Sequence, residues 1–141
     1  MSTRDVMAPQ APPRTRTDIL LDQYVVALSV VMLLFGLRQW AIILGAFPPP
    51  PGAGDTFEHM SQAWFVVTVH MAVVDLVAAV GLWLKVAGGK VLWVYSALFE
   101  IALHTIFVRT FGPDVAVVGF HLATLVVFVA LTILAWRQHR H

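Results

Sequence analysis

The chain has 141 residues, 59% of them hydrophobic and only 12% charged, with a formal net charge of +1 and a mean hydropathy of +0.80. A soluble domain carries about twice that share of charge, so a single membrane domain with no separate soluble module is expected. The near-neutral balance and the lack of a basic cluster exclude nucleic acid as a partner. The absence of cysteine excludes disulfides, thiolate nucleophiles, iron–sulfur clusters and covalently attached c-type haem.

Residues 1–17 end in APQAPPRTRT, rich in Pro, Arg and Thr and without apolar periodicity, and read as a disordered tail. A first apolar span covers about residues 18–47. It is too long for a signal-peptide core and has no small-residue cleavage site, so it is expected to stay as a membrane helix. Pro48 to Pro51 end it. Asp55 and Glu58 have the spacing of a capping box and predict the start of a second helix over about 55–87, with Gly88-Gly89 as its stop. A third span covers about 90–111 and ends at Gly112-Pro113. Asp114 is a candidate N-cap for a fourth over about 114–136, and residues 138–141 form a short tail. Short connections make consecutive helices antiparallel neighbours. The expected fold is all-α: a four-helix transmembrane bundle running up-down-up-down.

The basic residues set its orientation. Arg4, Arg14, Arg16, Lys85, Lys90, Arg137 and Arg140 fall on one side if the termini lie together, whereas Asp55, Glu58 and Asp114 fall on the other with only Arg109 near them. Positive-inside reasoning puts both termini in the cytoplasm. Trp40 and Trp64 then mark an outer interface, and Trp83, Trp93 and Trp136 an inner one.

Six ionisable residues sit inside these spans: Arg38, His70, Asp75, Glu100, His104 and His121. Counting ~1.5 Å per residue places Arg38 and the three histidines roughly 9–12 Å below the outer boundary, and Asp75 and Glu100 roughly 17–20 Å down. Ionisable groups at such depth are costly and are candidates for function, although polar residues between membrane helices also serve packing alone. Glu100 and His104 are four apart on one helical face. His70 and Asp75 lie about 140° apart, so both cannot point at the axis. Arg38 has no acid on its own helix nearby and is expected to pair with Glu100 or Asp75.

Three kinds of chemistry fit these residues. His70, His104 and His121 on different helices are candidate cofactor ligands, as axial haem ligation requires. Asp, Glu and His in a chain are the parts of a proton relay. Glu100 and His104 with Asp75 or His121 are candidate metal ligands, though the peptidase pattern H-E-x-x-H is absent. No serine or cysteine nucleophile stands beside a base, which argues against hydrolysis.

With the spans placed, the chain resembles the small four-helix inner-membrane proteins of alphaproteobacteria grouped as a domain of unknown function. The resemblance lies in RQWAIILG of the first helix, MAVVDLVAAVGLW of the second, LWVYSALFEIALHTIF of the third and VVGFHLATL of the fourth, and covers about residues 19–136. It implies a bacterial inner-membrane location and brings no activity, substrate or cofactor. The expected function is that of a small accessory or interaction protein. Its buried network would be Arg38, Asp75, Glu100 and His104, and its partners the lipid bilayer and other membrane-protein subunits. A binding module for haem, quinone or a metal is the alternative, and a proton-coupled pathway the third reading.

Overall fold

Helix α1 begins earlier than the hydropathy suggests, because Thr15 and Asp18 form a reciprocal cap. The Thr15 hydroxyl accepts from the Asp18 N–H at 3.2 Å and the Asp18 carboxylate accepts from the Thr15 N–H at 2.8 Å, so the helix runs Arg16–Ile43. In this computed structural model residues 10–141 are described; the part of the expected tail in residues 1–9 lies outside them. Among the described residues all regular structure is helical. After α1 come a 3₁₀ turn at Phe57–His59, α2 at Gln62–Trp83, α3 at Ala87–Thr105, a one-turn α4 at Val108–Phe111 and α5 at Val115–Gln138.

The helix ends differ from expectation for reasons that lie in the backbone. Helix α1 stops four residues early because Gly45 takes a left-handed conformation (φ 79°), and Gly45 and Ala46 donate back to Ile42 and Ala41 in a Schellman arrangement. The capping box at Asp55 and Glu58 does not form. The Asp55 carboxylate is bonded to His59 Nδ1 at 3.0 Å, Ala53 holds the Ser61 N–H, and α2 starts only at Gln62. That hydrogen bond to His59 also holds the Asp55 carboxyl below its usual range. Gly88-Gly89 does not stop α2; both residues lie inside α3. The stop is Lys85, left-handed at φ 56°, where Lys85 and Val86 donate to Leu82 and Gly81. The third expected helix breaks at Ile106-Phe107, whose two N–H groups both reach the Ala102 carbonyl, and α4 is a separate turn. Asp114 does cap α5, accepting from the Val117 N–H at 3.0 Å.

Small residues bring the first three long helices together. Gly36 of α1 lies against Leu76 of α2, and Gly81 of α2 lies against Gly89 of α3. Ser29, Ala72, Ala78, Ala79, Ser96 and Ala97 are all buried in these seams. The apolar core is Val25, Leu28 and Met32 of α1, Ala78, Ala79 and Leu82 of α2, and Trp93 of α3, with Phe128 of α5 edge-on to Trp93 at 5.2 Å between centroids. Helix α5 packs more lightly, with only His121 and Ala135 buried. At this end the start of α1, the α2–α3 turn and the end of α5 converge: Asp22 pairs with Arg14 and with Lys85 at 3.4 Å, and Asp18 lies 3.1 Å from His139.

Two of the five tryptophans are not interface residues. Trp93 is 1% exposed and Trp64 8% exposed, edge-on to Phe111. Both are held inside by packing, whereas Trp83 and Trp136 face outward and Arg140 stacks on Trp136. Helices α1, α2 and α5 are long and apolar enough to cross a membrane. Large apolar side chains such as Leu34, Val66, Val80 and Val126 cover their outer faces.

The Gly81–Gly89 contact generates a paired prediction. A Cβ at Gly89 would run into the backbone of Gly81 and Leu82, whereas one at Gly88 meets open space. Gly89→Ala should therefore cost about 1–3 kcal/mol, and Gly88→Ala should be neutral or gain up to about 1 kcal/mol. Thermal unfolding of both variants in one detergent measures the difference.

Candidate functional site: a buried polar chain beside a cavity

Asp75 is completely buried on α2. A carboxyl removed from water needs a donor, and Ser96 of α3 supplies one, its hydroxyl donating to Asp75 Oδ1 at 2.7 Å. Ser96 is also completely buried, and the alanines around the pair let the two helices come close enough for this bond. One turn further along α3 stands Glu100, on the same face as Ser96. Its carboxylate lies 3.5 Å from Nε2 of His121 on α5, a histidine only 1% exposed. A polar chain thus crosses three helices: Asp75 to Ser96, then Glu100 to His121. Two buried atoms in it lack a partner among the described residues, Asp75 Oδ2 and His121 Nδ1.

The His121 ring is enclosed by aromatic neighbours. Phe35 of α1 and Phe120 of α5 approach it at 6.2 Å and 5.4 Å between centroids, and are 5.7 Å from each other. Beside these rings a cavity of about 390 Å³ opens between α1 and α5, with Arg38, Gln39, Glu100 and Asp114 as its polar walls. A smaller cavity of about 160 Å³ adjoins it, sharing Arg38, Gln39, Glu100, Asp114 and Val117 and reaching His104 and Trp64. Both lie toward the end of the fold opposite the Asp22–Lys85 contacts.

The six residues singled out in the sequence divide by environment. Asp75, Glu100 and His121 join the polar chain. Arg38 does not pair with Glu100 or Asp75; among the described residues it makes no ion pair, and its exposed side chain lines both cavities with Glu100. His104 does not bond Glu100 four residues before it, because its Nδ1 lies 2.8 Å from the Gly112 carbonyl and closes the corner between α3 and α4. His70 takes the outward of the two directions that it and Asp75 had to divide, meeting the Tyr95 hydroxyl at 2.9 Å and tilting against Phe99. The three histidines therefore occupy three separate settings, and only His121 lines the larger cavity. Among the described residues no group of three His, Asp or Glu side chains is placed to hold a metal ion.

Sequence reasoning missed Ser96, Phe35 and Gln39, and saw Asp114 only as a cap. Ser96 had a signal: it stands four residues before Glu100, extending the polar stripe of α3 by one turn. Phe35 and Gln39 are unremarkable in an apolar helix and become visible only through its rotation.

The helices and this site define an all-α protein with three candidate membrane spans among the described residues and, at one end, an apolar cavity with a few polar groups on its walls. Residues 19–139 match the family of unknown function DUF6163, and the chain belongs to that family. The match begins within α1 and ends just past α5, so it takes in all of the helical region but the first turn of α1. No curated protein and no solved structure matches the chain.

Removing the Ser96 hydroxyl leaves a fully buried carboxyl with no donor. Ser96→Ala should lower stability by about 1–3 kcal/mol. Tyr95→Phe, one residue away and at the exposed His70 contact, should cost well under half as much. Thermal unfolding of the two variants under identical conditions makes the comparison.

Proposed function

We propose that the chain is an integral protein of the bacterial inner membrane, of accessory rather than catalytic type, whose cavity beside His121 binds a small molecule drawn from the bilayer. In this reading α1, α2, α3 with its continuation α4, and α5 cross the membrane as a four-helix bundle. They run up-down-up-down with both termini in the cytoplasm. The clustering of Arg14, Lys85 and His139 about Asp22 and Asp18 supports one basic, cytoplasmic end. The apolar outer faces of the helices support lipid as their solvent.

The observation that carries the binding role is the cavity itself. Its volume of about 390 Å³ lies in the range of small-molecule sites, and its walls combine aromatic rings with a few convergent polar groups. Haem is the weaker occupant, because His121 is the single histidine on the walls and an axial pair needs two.

Two measurements test this reading. The chain has no native cysteine, so single replacements report topology cleanly. In intact cells a membrane-impermeant maleimide should label Thr56→Cys and should reach His141→Cys only after the membrane is disrupted. Labelling of both, or the reverse pattern, overturns the orientation. For binding, native mass spectrometry of the full chain released from mild detergent should show a bound small molecule. Val117→Trp, which fills the space shared by both cavities, should lose it. A wild-type chain with no adduct from any membrane extract overturns the binding role.

A further inference from the structure

The walls of the cavity restrict what can occupy it, and this inference rests on the binding role proposed above. Arg38 brings a positive charge, Glu100 and Asp114 bring carboxylates, and one Asp114 oxygen is already committed to the α5 N-terminus. An anion drawn to Arg38 meets two carboxylates, and a cation drawn to the carboxylates meets Arg38. A neutral occupant escapes both penalties. It must still satisfy donors and acceptors together: the Arg38 guanidinium and the Gln39 amide donate, and Glu100 accepts. His121 turns Nε2 toward Glu100, so that Nε2 carries the N–H and donates, and its buried Nδ1, without a partner among the described residues, is the acceptor of the neutral ring.

The apolar part of the wall is aromatic. Phe35, Phe120 and the His121 ring form a three-ring corner, suited to a flat ring lying against it. Entry between α1 and the lightly packed α5 would pass exposed apolar side chains such as Leu37 and Leu122. An occupant that enters there is soluble in lipid.

We propose that the cavity binds a lipid-soluble para-quinone or its quinol. The ring would lie on the Phe35–Phe120 wall, one ring oxygen would take a hydrogen bond from Arg38 or Gln39, and the other would face the His121–Glu100 pair, donating to Glu100 as a quinol hydroxyl or accepting from His121 as a quinone oxygen. Flatness, neutrality, oxygen atoms on opposite edges and an apolar tail meet the four restrictions together. An anionic phospholipid headgroup fails on charge, a zwitterionic one lacks a flat ring for the aromatic corner, and a plain hydrocarbon leaves Arg38 and Gln39 without acceptors.

The test uses the full chain in lipid nanodiscs and a short-chain benzoquinone bearing one isoprene unit, with binding followed by equilibrium dialysis. Saturable binding is expected. Arg38→Leu should weaken it by about tenfold, the effect of losing one charge-assisted hydrogen bond. Because Arg38 is exposed and makes no ion pair among the described residues, this variant leaves no buried partner stranded. Val117→Trp should abolish saturable binding, and circular dichroism of both variants checks that the helices remain. Absence of saturable binding to wild type, or equal binding by wild type and both variants, overturns the quinone assignment. Mass spectrometry separates the two failures. A bound molecule that is not a quinone, a lipid included, sinks the ligand class and leaves the binding role standing; no bound molecule sinks both.

Discussion

A carboxyl group with no access to water must be given a donor by its own protein, and Asp75 is such a group. That requirement fixes α3 against α2, because the Ser96 hydroxyl reaches Asp75 only when the helices meet across small side chains. With Ser96 pointing inward, helical geometry points Glu100 the same way one turn later. Glu100 in turn faces His121, which is the most deeply buried residue of α5. The polar chain is therefore more than a set of local pairs. It relates three helices to one another, and the direction of each follows from the one before.

Apolar packing and polar geometry occupy different halves of the molecule. Toward the end where Arg14 and Lys85 gather, Trp93, Met32, Leu82 and Phe128 interlock and leave little space. Toward the other end lie the two adjoining cavities walled by Arg38, Gln39 and Asp114. A tightly packed half holds the frame, and the looser half can keep an opening without the helices collapsing onto it.

The helical class could be read from the sequence, since it rests on runs of apolar residues long enough to outweigh local exceptions. The ends could not, because they turn on single backbone conformations. Gly88-Gly89 looks like a stop, yet the left-handed residue is Lys85, which composition does not favour. The site was half legible. Asp75, Glu100 and His121 stood out as ionisable groups in apolar surroundings, and depth counting put Asp75 and Glu100 at one level with His121 above them. Rotation decided the rest: His70 was at the right depth on the wrong face, and Arg38 found a cavity wall where an ion pair was expected. Phenylalanine carries no such flag, and Ser96 had only its place four residues before Glu100, so neither was singled out until the helices were seen packed.

The light packing of α5 has a further consequence. Three polar fasteners hold this helix at widely spaced heights: Glu100 on His121, the Tyr24 hydroxyl donating to the Thr124 carbonyl at 2.5 Å, and Asp18 beside His139. Smooth apolar surfaces let a helix slide, since one turn looks much like the next. Displacing α5 by a turn, about 5.4 Å, would break all three fasteners together. The helix with the least grip on the core thus has the most sharply defined register, set like a key by three notches rather than by the fit of its whole length.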